Sequence, residues 1–120
     1  SEIQLRLSLG GTNIATGGDP FASSTNAGAN GPEAAFDGNT DSFYSSLAGT
    51  ALPITIGYQL PLAKNVVQYS VTAADTPARR LRAPQSWVLE YSADGANWFT
   101  AHSVTGQTEW GDREVRVFTV

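Results

Sequence analysis

The sequence predicts an all-β domain of the sandwich type, and three observations carry that prediction. Apolar residues alternate with polar ones in several short runs, the period of a strand with one buried face. Gly, Pro, Asn and Asp clusters separate those runs about every 8 to 12 residues. No run keeps a helical period over the length of an ordinary helix, and 12 Gly and 6 Pro beside few Lys or Glu favour turns over helices. At 120 residues and 12.7 kDa the chain fits one domain, 1–120, large enough to bury a core without covalent staples.

Each element follows from its local pattern. Ile3, Leu5, Leu7 and Leu9 alternate with Gln4, Arg6 and Ser8 as a half-buried strand, which Gly10-Gly11 ends. Gly17-Gly18-Asp19-Pro20 is a turn, and a short strand follows at Phe21 to Ser24. Ser23 to Pro32 has no periodicity and reads as a surface loop. Pro32-Glu33-Ala34-Ala35 can start a single helical turn with Pro at its first position, delivering Asp37 at its end. Leu52 to Leu60 reads as a strand through Ile54, Ile56 and Tyr58, with Gly57 a bulge or a point of close packing.

The second half is more regular. Val67, Tyr69, Val71 and Ala73 alternate with polar residues in the clearest strand of the chain. Asp75 to Gln85 is a long loop carrying Arg79, Arg80 and Arg82, the one concentrated basic feature, where Arg82 is expected to pair with Asp75. Trp87, Leu89 and Tyr91 alternate again, and Ser92-Ala93-Asp94-Gly95 signals a hairpin into Trp98, Phe99 and Ala101. Trp87 and Trp98 are read as core. Strands at His102 to Val104 and Glu114 to Val120 flank a loop, Gly106 to Asp112, that holds Trp110. His102, the single histidine, is read as an ordinary surface or hydrogen-bonded residue.

Composition removes several classes of function. With no cysteine there is no disulfide framework, thiol nucleophile or thiolate metal site. A net charge of −4 and a charged fraction of 15% argue against holding nucleic acid by phosphate neutralisation. No apolar run approaches the roughly 20 residues of a spanning helix, so no membrane span is expected. No nucleophile elbow surrounds any Ser, and no Gly-rich phosphate loop or His-rich metal motif is present, so the chain is not expected to be an enzyme.

The segment Glu33 to Tyr44 is the densest in chemistry. It sets Asp37, Asn39, Asp41 and Ser42 around Gly38 between apolar Ala34-Ala35-Phe36 and aromatic Phe43-Tyr44. Such an oxygen-rich turn either holds a hard cation or holds itself through side-chain to backbone hydrogen bonds, and the residues alone leave both open.

Three pieces then stand in order: Ala34-Ala35-Phe36-Asp37-Gly38-Asn39-Thr40-Asp41-Ser42-Phe43, Ser86-Trp87-Val88-Leu89-Glu90-Tyr91-Ser92, and Ala93-Asp94-Gly95-Ala96-Asn97-Trp98. Together they resemble the discoidin family, the coagulation factor 5/8 type C domains, which overlaps with the family 32 carbohydrate-binding modules of galactose-binding-like fold. The resemblance runs from about Phe21 to the C-terminus, with Phe43-Tyr44 standing where the family usually has Trp. It implies a jelly-roll β-sandwich of two antiparallel sheets that binds sugars, of galactose type among them, or other surface ligands through loops at one end and does no chemistry. The family closes with a strand resembling Ser1-Glu2-Ile3-Gln4-Leu5, so the closing strand is expected to be permuted to the chain start or missing. A missing strand would leave an edge for a neighbouring domain or a second copy to cover.

The same resemblance implies a structural calcium at the turn, or sodium in its place. Its ligands would be the Ser1 carbonyl, Glu2, the Ala34 carbonyl, the Asp37 carboxylate, the Asn39 side chain or carbonyl, and Ser42 through its hydroxyl or carbonyl. For a glycan, the expected contacts are Arg79 and Arg80 as donors, Asn30 as a polar contact, and Tyr44 or Trp110 as a stacking platform. The first function expected is a carbohydrate-binding module of a larger extracellular, cell-surface or virion protein. The alternative is an assembly or adhesion domain of a virion tail or cell-surface fibre acting through protein–protein contacts.

Overall fold

Seven strands and two short helical turns are seen among residues 2–26, 31–80 and 82–120, which the computed structural model describes. The strands are β1 (Glu2–Arg6), β2 (Asp19–Ala22), β3 (Ile56–Gln59), β4 (Gln68–Thr72), β5 (Trp87–Tyr91), β6 (Phe99–Val104) and β7 (Val115–Thr119). A 3₁₀ turn spans Pro32–Ala35 and one helical turn, α1, spans Pro77–Arg80. The protein is all-β, and every pairing among the described residues is antiparallel, the arrangement that the alternating patterns favour. The ladders form a three-stranded sheet, β1-β4-β7, and two two-stranded ribbons, β2-β3 and β5-β6, an arrangement compatible with the β-sandwich expected. The two ribbons are short or irregular, since β2-β3 pairs only four residues a side and β5-β6 shifts register between Leu89 and Glu90.

β4 is the centre of the larger sheet and is buried on both faces. Ile3 and Leu5 of β1 stand opposite Val71 and Tyr69 of β4, with Phe118 of β7 opposite Tyr69 on the other side. One core cluster gathers Tyr69, Val71, Ala73 and Trp110 with Leu5, Trp87, Leu89 and Phe118 around them. A second holds Ala15, Ala35 and Phe36 against Ile3, Leu5, Tyr44, Ile56 and Tyr58, and Leu5 belongs to both. The Tyr69 hydroxyl, 1% exposed with its ring, accepts the Trp87 indole N–H at 2.8 Å and lies 2.9 Å from His102 Nδ1. The indole can only donate, which leaves the tyrosine proton for Nδ1. This chain of three side chains ties β4 to the β5-β6 ribbon, and His102 is the hydrogen-bonded residue expected.

Several boundaries differ from expectation, each for a local reason. β1 ends at Arg6 because a turn closes at Ser8, whose carbonyl accepts the Gly11 N–H at 3.0 Å, and Leu7 and Leu9 are left exposed. Its free edge is partly covered by Asn13 and Ile14, which bond the Leu5 N–H and carbonyl at 3.0 and 2.8 Å. β3 begins only at Ile56, but Gly57 is the close approach expected: a Cβ there would lie 2.3 Å from the Phe21 ring across the ladder. Trp98, read as core, is 46% exposed and packs on Phe21 with ring centroids 6.3 Å apart. It sits at the mouth of a hairpin rather than inside a strand. There Asp94 accepts the N–H groups of Asn97 and Ala96, each at 2.8 Å, and these bonds hold its carboxyl below the usual range.

Candidate functional site

The oxygen-rich turn is built as the sequence implies. Pro32 starts the 3₁₀ turn, Ala34 and Ala35 are buried by it, and the chain leaves through Phe36 into Asp37-Gly38, where Gly38 takes φ 74°. Asp37 Oδ1 accepts the Asn39 N–H and Asn39 Oδ1 accepts the Asp41 N–H, both at 2.9 Å, two successive Asx turns. Asn39 Oδ1 is thus engaged within its own loop, while the Asn39 carbonyl lies 2.9 Å from the Ser42 hydroxyl.

Two features of the turn exceed what self-bracing needs. The Ser42 hydroxyl has one proton, yet lies 2.7 Å from Asp37 Oδ2, 2.9 Å from the Asn39 carbonyl and 3.2 Å from the Ala34 carbonyl. Oxygens outnumber protons there. The second feature is Glu2, on β1 and 36 residues away in sequence, which reaches the turn and accepts the Gly38 N–H at 3.0 Å through Oε1. Glu2 is 1% exposed and its Oε2 has no hydrogen-bond partner among the described residues. Burial, with the neighbouring Asp37 charge adding and the Gly38 bond opposing, pushes its carboxyl up to about 7. Glu2, Ala34, Asp37, Asn39 and Ser42, all named from the sequence, therefore meet at one place; Ser1 lies outside the described residues. Among the described residues no three His, Cys, Asp or Glu side chains gather as a metal cluster. A cation here would be held by two carboxylates together with carbonyl and hydroxyl oxygens, the donor set of a hard ion.

The ligand candidates are less well gathered. Arg79 bonds Asp75 at 3.1 Å and its guanidinium lies 4.5 Å from the Phe43 ring centroid, so Arg79, not Arg82, is the partner of Asp75. Arg113 joins the same group, pairing with Asp41 of the turn and reaching Asp75 at 3.8 Å. Arg80 points elsewhere, to Asp112 at 3.1 Å. The Tyr44 hydroxyl donates to the Ser24 carbonyl and its ring packs on the second core cluster, so it braces a loop instead of offering a platform. Asn30 lies outside the described residues.

Trp110 departs furthest from expectation. It is 6% exposed, its N–H is shared between the Pro84 and Gln107 carbonyls at 3.1 Å each, and the Arg116 guanidinium covers a face 4.1 Å from the ring. A sugar ring cannot stack on it. It floors a shallow depression of about 320 Å³ between the end of the arginine loop and the 107–111 loop, lined also by Arg80, Gln85, Gln107, Thr108 and Glu109. Arg80 and Trp110 thus come together at one place, whereas Arg79 does not line it.

The depression depends on residues that sequence reasoning missed. Arg116 of β7 is held by Glu114, by Gln107 Oε1 at 3.0 Å and by the Thr108 carbonyl at 2.9 Å, and so fixes the loop from beneath. Arg116 in turn, and then the Gly111 N–H at 2.8 Å, keep the Glu114 carboxyl below its usual range. The sequence signal for this was Arg116 two residues after Glu114 in the alternating run 114–120, a spacing that puts both side chains on one side of an extended chain. Gln85, Thr108 and Glu109 have exposed side chains with no hydrogen-bond partner among the described residues. Comparison of the chain with protein-family models, curated proteins and solved structures returns no match. The resemblance to the discoidin family rests on the quoted motifs alone.

Proposed function

We propose that this chain is a non-catalytic carbohydrate-binding module whose ligand sits in the depression between the arginine loop and the 107–111 loop. The observation that carries the reading is the lining itself. A small apolar patch, Ala83 with the edge of Trp110 that Arg116 leaves uncovered, is ringed by amide, hydroxyl, carboxylate and guanidinium groups, several of them without partners among the described residues. Carbohydrate recognition needs that combination, a few fixed polar groups over an apolar surface. The motif resemblance to discoidin-type domains supports the same class of ligand, and an extracellular, cell-surface or virion location goes with it. A shallow open site of this size suits weak binding, on the order of millimolar.

The turn completes the proposal as a structural cation site for calcium, with sodium as the alternative occupant. Glu2, Asp37, Ser42 and the Ala34 and Asn39 carbonyls would hold the ion, and Glu2 Oε2, without a partner among the described residues, and the crowded Ser42 hydroxyl are what it would relieve. Bound there, a cation staples β1 to the turn; it takes no part in ligand chemistry.

A second reading, an assembly or adhesion domain, is favoured by one observation. Phe21, Tyr91, Trp98 and Phe99 are each 39–59% exposed around one hairpin, where they pair as Phe21–Trp98 and Tyr91–Phe99. A glycan array followed by titration separates the two. Specific binding weakened about tenfold by Arg80→Ala or Gln107→Ala supports the module. No binding to any glycan, together with a stable oligomer dispersed by Tyr91→Ser and Phe99→Ser, supports assembly and sinks the first reading.

A further inference from the structure

The charges around the depression do not balance. Arg80, the one cation in the lining, has Asp112 at 3.1 Å, and Arg116 beneath the loop has Glu114 beside it, so each already carries an anion. Glu109 also lines the depression, and its carboxylate has no partner among the described residues. Arg82, exposed on the same loop, does not line it. Of the two charged side chains that line the depression, Arg80 is therefore held by Asp112 and Glu109 alone is without a partner among the described residues, in a chain whose net charge is already −4.

Glu109 is also held in an unusual backbone conformation. Its φ is 58°, in the left-handed region where an L side chain is strained and glycine is not. The loop enforces this from both sides: Trp110 is pinned by its N–H to two carbonyls, and Arg116 Nη2 binds the Thr108 carbonyl at 2.9 Å. Glycine would satisfy the same backbone with less strain, so the fold itself does not ask for a glutamate. A carboxylate there accepts hydrogen bonds from ligand hydroxyl or ammonium groups and gives none.

We infer that Glu109 sets the specificity of the depression, selecting neutral or amino-bearing, hydroxyl-rich ligands and rejecting acidic ones. This rests on the carbohydrate-binding reading above. A uronate or sulfate in the depression would face an uncompensated like charge, whereas two neighbouring hydroxyls or an ammonium would donate to it.

The test titrates the whole chain with a neutral methyl hexoside, the matching amino hexoside and the matching hexuronate, following backbone amide shifts at low and high salt. Wild type is expected to bind the neutral and amino sugars about tenfold more tightly than the uronate, with the gap narrowing as salt screens it. Glu109→Gln, which keeps size and polarity, should bring the uronate within about twofold of the neutral sugar. Glu109→Gly should melt at or above the wild-type temperature yet bind the neutral sugar about tenfold more weakly, separating binding from folding. Equal wild-type binding of uronate and neutral sugar, or a ratio that Glu109→Gln leaves unchanged, overturns the assignment while leaving the carbohydrate reading intact. No binding of any of the three sugars overturns both.

Discussion

Replacing Glu2 by Gln tests the turn with a change of one charge. The wild-type carboxyl is 1% exposed, with one oxygen on the Gly38 N–H and the other without a partner among the described residues, and it is pushed from 4.5 up to about 7. An acid whose folded value is raised keeps its proton longer in the native state, so folding is favoured most below pH 4.5. That contribution is lost as pH rises through 7. The interval from 4.5 to about 7 integrates to about 3 kcal/mol. Gln is neutral at every pH, and its carbonyl can keep the Gly38 bond. In chelator at pH 8, E2Q should therefore melt higher than wild type by up to about 10 °C, and at pH 4 the two should coincide. Calcium should reverse the order at pH 8, raising wild type by about 2.7 kcal/mol at a hundredfold excess over its dissociation constant while moving E2Q little. Thermal melts by circular dichroism at pH 4, 6 and 8, each in chelator and in calcium, read all of this. If E2Q gains nothing at pH 8 without metal, the carboxylate is not buried against its charge. Equal calcium shifts in both proteins would remove Glu2 from the ligand set.

Two further changes probe the frame around the sites. Tyr69→Phe leaves the Trp87 indole N–H and His102 Nδ1 without the hydroxyl between them and should cost about 1 to 3 kcal/mol by chemical denaturation; a cost below about 0.5 would show that the bridge is not formed. Gly18→Ala would put a Cβ 2.1 Å from the Gln59 carbonyl and disturb the Gly18 N–H bond to Tyr58 at 2.7 Å. Loss of amide protection at the start of the β2-β3 ladder is the expected hydrogen-exchange result, and unchanged protection would count against the pairing.

What could be read in advance followed the range over which each signal acts. The strand at 68–72, the single turn after Pro32 and the self-bonded Asp94 hairpin are local, and alternation, a Pro and an Asp-Gly pair expose them. Glu2 meeting Gly38 is not local, and it was legible only because the motif resemblance supplied the partner. The depression was half legible. Arg80 stood out in a basic loop, but no periodicity shows that Arg116 lies over Trp110 and denies its face to a ligand. Nor does it show that Arg79 turns to Asp75 and Phe43. Trp98 failed differently: an aromatic residue after a hairpin reads as core, yet the irregular β5-β6 ribbon leaves it beside Phe21 at the surface.

The three tryptophans offer the most direct measurement of the central claim, because each indole reports a different place: Trp87 the core, Trp98 the hairpin and Trp110 the floor of the depression. Indole N–H signals followed while a neutral monosaccharide is added to tens of millimolar should show Trp110 moving in a saturable way and Trp87 and Trp98 standing still. Saturable movement of Trp98 with Trp110 unmoved, or no movement of any indole, would contradict a ligand site between Arg80 and Glu109.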